Sequence, residues 1–102
     1  MYVVVNRISV AEGKAEEFEN GFAASMRDHL PEVPGLMRST LMKPKSAEDP
    51  YMSTMEFTDA ESFHAWVKSD SFKASHDVAL DTTTASTIEI YDLFAYVASA
   101  TQ

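Results

Sequence analysis

Three residues have a chemistry at odds with their surroundings. Asn6 lies inside the otherwise apolar run YVVVNRISV (residues 2–10), and Trp66 and His76 share the segment FHAWVKSDSFKASH (63–76). By strand alternation Asn6 faces the same way as Tyr2, Val4 and Ile8. A buried amide left without partners costs about 1–3 kcal/mol, so a neighbouring loop or a ligand has to meet it. Trp66, the single tryptophan, falls on the inner stripe of a helix with Phe63 and Val67. That position suits a core residue, and it equally suits a rigid wall for a flat aromatic ligand. His76 comes one turn after Phe72. It can serve as a partner for a helix C-terminus, or as an axial ligand to a haem iron, for which one imidazole nitrogen suffices. His64 falls off the stripe and His29 ends a helix beside Pro31, so both read as surface or rim residues.

Trp66 and His76 are ten positions apart. On one unbroken helix they would point roughly 80° apart and stand about 15 Å apart along the axis. The polar step Ser69-Asp70-Ser71 between them allows two short helices instead, with Ser69 as the cap of the second, so that both side chains can face one space.

The elements that would hold these residues can be read from periodicity and punctuation. Residues 2–10 predict a strand, and 13–30 a helix with Ala15, Phe18, Phe22 and Met26 on one face. Residues 36–43 and 51–57 predict two strands around the polar connection KPKSAEDP. Thr58 and Glu61 have capping-box spacing, which starts a helix near Asp59. DTTTAST (81–87) reads as a polar loop and IEIYDLFAYV (88–97) as the last strand. The order is β-α-β-β-α-(α)-β, the split βαβ pattern of a ferredoxin-like α+β domain over residues 1–102. The first and last strands read as apolar on both sides, so the sheet calls for one layer of helices and a second subunit.

Composition removes several function classes. The absence of cysteine excludes disulfide frameworks and thiolate chemistry. A net charge of −8 argues against nucleic acid and anionic membranes as partners. Asn6 and Arg7 interrupt the N-terminal apolar run too early for a secretory leader, which makes a cytoplasmic location the expectation. Phosphate-binding glycine loops and His pairs at i, i+4 are missing, and the carboxylates fall where solvated faces and helix N-termini are expected.

The strand ending in N-R (Asn6, Arg7) and the segment F-x-x-W-x-K-S-D-x-F-K-A-x-H at 63–76 resemble the antibiotic-biosynthesis-monooxygenase superfamily. Within it, they are most similar to the haem-degrading monooxygenases of the IsdG type. The resemblance implies a ferredoxin-like homodimer, a dimeric α+β barrel, with haem bound as both substrate and cofactor. It assigns His76 as the iron ligand, Asn6 as the hydrogen-bonding group on the opposite side of the ring and Trp66 as the residue that distorts the porphyrin. Phe22 would line the pocket, and an external donor, a reductase, would supply electrons. Two alternatives stay open: a cofactor-less quinol or polyketide monooxygenase of the same superfamily, and a non-catalytic haem-binding dimer.

Overall fold

A computed structural model of the chain describes residues 1–73 and 82–99. Its elements are β1 (Tyr2–Val10), α1 (Ala15–His29), β2 (Leu36–Met42), β3 (Tyr51–Phe57), α2 (Ala60–Val67) and β4 (Thr83–Asp92), with residues 70–73 also helical. The four strands form one antiparallel sheet in the order β2-β3-β1-β4. This is the ferredoxin-like α+β architecture expected from the sequence.

Two aromatic-rich clusters tie the helices to the sheet. Val4, Leu30, Met55, Phe57 and Trp66 form one, while Ile8, Phe18 and Tyr51 form the other. Phe57 is fully buried and Phe18 nearly so. α1 places Glu16 and Glu17 in its first turn and Arg27 and His29 in its last, charges that complement the helix dipole. Just before β2, Gly35 takes φ +80°, and a Cβ there would collide with the Ser62 side chain of α2. The Gly35 carbonyl also accepts from the Thr58 amide at 2.9 Å, which anchors the start of α2.

Three expectations need correction. The cap of α2 is Asp59, whose Oδ1 accepts from the Ser62 amide at 2.8 Å, and not Thr58 paired with Glu61. That backbone hydrogen bond holds the Asp59 carboxyl below its ordinary pKa. The last strand spans Thr83–Asp92, five residues earlier than expected at each end. Its extent follows its partner: β1 pairs from Val10↔Thr83 to Tyr2↔Asp92, and past Asp92 the Leu93 amide reaches back to the Met1 carbonyl. Thr83, Thr84 and Thr87 are β-branched and suit an edge strand that needs no apolar side chains on its exposed stretch. Finally, the face of the sheet away from the helices is not uniformly apolar. Val3 and Val5 alternate there with Arg7, which bonds Glu89 at 2.7 Å, and Arg38 approaches Glu56 at 3.5 Å on the neighbouring strands.

Candidate functional site

A cavity of about 430 Å³ separates the helices from the sheet. Its floor is Val4, Asn6 and Ile8 of β1 with Ser53 and Met55 of β3, and β4 adds Ser86 and Ile88. Its roof is Phe22, Ser25 and Met26 of α1 with Phe63, Trp66 and Val67 of α2. Phe72 closes it from the next helical stretch and His64 lies on its exposed rim. The volume falls in the range of small-molecule sites, with mostly carbon walls and a few polar atoms, the usual balance of such a pocket.

The alternation that put Asn6 on the Val4–Ile8 face is what delivers it to the cavity floor. In the sheet Asn6 stands between Ser53 on β3 and Ile88 on β4. Its Oδ1 is buried and finds no hydrogen-bond partner among the described residues.

Trp66 is 8% exposed and belongs to the core cluster while also walling the cavity. Both sequence readings therefore apply to the same side chain. The break after α2 fixes its orientation. Ser69 Oγ donates to the Trp66 carbonyl at 2.6 Å and accepts from the Phe72 amide at 3.3 Å, ending one helix and capping the next. Phe72 then meets the indole edge-on, ring centres 4.9 Å apart. The indole Nε1–H reaches Ser71 Oγ at 3.4 Å, and Ser71 in turn donates to the His29 carbonyl at 2.6 Å. The polar step is thus a brace for Trp66, tied to the end of α1.

Phe22 lines the roof, stacked at 5.4 Å on Phe18. His76, the expected iron ligand, lies outside the described residues, as do its neighbours at 74–81. Among the described residues no cluster of His, Asp and Glu could hold a metal ion by itself. His64 is exposed at the rim, as read from the sequence, with its ring beside those of Tyr2 and Phe63.

Two features escaped the sequence reading. Ser25 is buried on the cavity side of α1, and among the described residues its hydroxyl also has no partner. It follows Phe18 by seven positions, two turns on the same face, which is the signal that could have found it. Glu19, read as solvated, accepts the Tyr51 hydroxyl and meets Lys43 at 3.0 Å. Tyr51 and Lys43 hold its carboxyl below the ordinary range. Burial and then Glu19 push the Tyr51 phenol up to about 12.

A ferredoxin-like sheet under two helices thus encloses an apolar cavity that an amide and an indole face. The antibiotic biosynthesis monooxygenase family matches residues 1–78, and the chain belongs to that family. Proteins described as heme-degrading monooxygenases from Listeria welshimeri and Listeria monocytogenes are 33% identical to it, covering 80% of this chain and 74% of theirs. A putative antibiotic biosynthesis monooxygenase from Caulobacter crescentus superposes with a TM-score of 0.81 at 25% identity, over 92% of this chain and 90% of that one. The same fold recurs in a mutant of MhuD with two manganese protoporphyrin IX molecules per active site, at TM-score 0.82 and 24% identity, over 97% and 100% of the two chains. It recurs also in SnoaB, a cofactor-independent oxygenase from Streptomyces nogalater, at TM-score 0.81 and 22% identity, over 96% and 97%.

Proposed function

We propose that this protein is a haem-degrading monooxygenase. It binds haem as its substrate and opens the porphyrin ring with dioxygen and electrons from an external donor, releasing iron. The observation that carries this reading is the convergence of Asn6 and Trp66, sixty positions apart, on one apolar cavity in which the Asn6 amide oxygen has no partner among the described residues. The Listeria relatives, described as heme-degrading, point the same way.

The residues present fit a flat, largely apolar group with one polar face to address. Phe22, Met26 and Trp66 would hold it by burial, and His76 would supply a nitrogen ligand to its iron. Bound haem supplies the iron that activates dioxygen. Asn6 offers its amide for hydrogen bonding on the sheet side, in a space whose carbon walls exclude competing water and strengthen each polar contact. Trp66, braced by Phe72 and Ser71, presents a stiff surface against which the ring can be bent, and distortion is one of the protein's levers on a haem.

A second subunit on the open face accords with this reading. The chain leaves β4 with Phe94, Tyr96 and Val97 at 99%, 76% and 95% exposure, an apolar segment that a homodimer would cover. Light scattering at low micromolar concentration is expected to give twice the 11.3 kDa chain mass.

The test is a haemin titration. A stoichiometric Soret band that bleaches with ascorbate or a reductase in air is expected, and His76→Ala should lose the histidine-ligated spectrum and nearly all turnover. The SnoaB-like fold favours one rival, an oxygenase without cofactor acting on a flat quinol, and a protein that gives no Soret band would support it. A band that survives reductant would mark a haem-binding dimer instead.

A further inference from the structure

Among the described residues, the buried side-chain polar atoms without a hydrogen-bond partner are Asn6 Oδ1 and Ser25 Oγ. Both belong to the wall of the same cavity, Asn6 on the sheet side and Ser25 on the helix side. A serine inside a helix ordinarily faces solvent or returns its hydroxyl to a carbonyl one turn back. Ser25 does neither: it is 7% exposed and makes no such bond. An alanine there would be a better helix former and would remove an unsatisfied buried group. The position therefore costs the fold something that nothing within the described protein offsets.

We infer that Ser25 is a ligand-positioning residue, its hydroxyl hydrogen-bonding a polar atom of the bound ligand, or a water carried with it, across the cavity from Asn6. The hydroxyl can donate or accept, whereas Asn6 Oδ1 can only accept. The pair therefore suits a ligand whose oxygen-bearing part enters between sheet and α1 while its apolar body lies against Phe22, Met26 and Trp66. Oriented this way, the ligand has one polar contact on each wall, which fixes its tilt as well as its depth. The inference rests on the reading of this cavity as the substrate site.

The experiment compares Ser25→Ala and Ser25→Thr with the parent, using haemin as the probe and following both binding and thermal unfolding. Ser25→Ala is expected to bind haemin about 5- to 10-fold more weakly, the loss of one hydrogen bond. Its unliganded Tm is expected to stay level or rise by up to about 8 °C. Ser25→Thr, which keeps the hydroxyl, should restore most of the affinity. Binding and stability moving in opposite directions is the signature, because a purely structural serine would lose both together. An Ala variant that binds as the parent does, or that is destabilised in proportion to its loss of binding, overturns the inference. If the parent itself gives no Soret band, the haem reading fails separately, and the same comparison is made with a dihydroxynaphthalene through quenching of Trp66 fluorescence. A parent that binds neither probe overturns both.

Discussion

Two regions beneath α1 treat buried polar groups in opposite ways. At the N-terminal end the Tyr51 hydroxyl is paired with Glu19, Glu19 with Lys43, and the rings of Phe18 and Tyr51 pack edge-on at 4.8 Å. Less than two turns further along, Ser25 Oγ and Asn6 Oδ1 face a cavity with no partner for either among the described residues. Among the described residues the first arrangement is complete and the second is not. Since a folded chain rarely leaves buried polar atoms unpaired, the incomplete region is the one shaped for something else.

Substitutions should separate the two. The largest effect is expected at the closed end: Phe18→Ala removes a ring only 2% exposed and should cost about 3–5 kcal/mol of stability in urea unfolding. Haemin affinity of the fraction that remains folded should hardly change. A variant that keeps its stability and loses binding would show that the regions are not distinct.

Asn6→Ala should do the reverse. Turnover is expected to fall roughly a hundredfold, the scale of losing one preorganised polar group in an active site. Haemin affinity should stay within a few-fold, and urea stability should hold or improve. Equal losses of affinity and rate would make Asn6 a binding group only.

Gly35→Ala probes what joins the regions to α2. The positive φ and the collision with Ser62 should together cost about 1–3 kcal/mol. Because α2 carries Trp66, weaker haemin binding should accompany that loss. Unfolding and titration of the same preparation would check both, and an unshifted Tm would mean that α2 moves aside freely.

The smallest effect is a titration. Tyr51 has its phenol raised from 10.0 to about 12 in the fold. Its stabilising share is therefore whole below pH 10 and lost as the pH climbs toward 12, since the unfolded chain gives up the proton first. Tyr51→Phe should flatten that alkaline decline. Tyr91, half exposed and raised mainly by its hydrogen bond to Glu89, should contribute less because solvent screens it. If Tyr91→Phe flattens the curve more than Tyr51→Phe, the closed end is not the stronger of the two pairings. Glu19 works at the other limit: its depressed carboxyl helps above the ordinary carboxylate range, and that help fades as the pH falls through its folded value.

Much of this was legible in the residues. β-branched runs free of Gly and Pro gave β1 its limits, the polar connection KPKSAEDP marked the start of β3, and the stripe at Phe18, Phe22 and Met26 gave α1 its inner face. Asn6 and Trp66 were marked by composition alone, an amide on an apolar face and a lone indole. The break at Ser69 followed from capping chemistry, which is local. Other matters depended on neighbours distant in sequence. β4 runs where β1 can pair with it, so its apolar tail Leu93–Val97 falls outside the strand and its threonines fall inside. Trp66 is held by Ser71 and, through it, by the end of α1, a contact across 42 positions. Whether a buried hydroxyl is satisfied depends on every element around it. Tertiary structure alone could therefore distinguish Tyr51, which has its partner, from Ser25, which has none among the described residues.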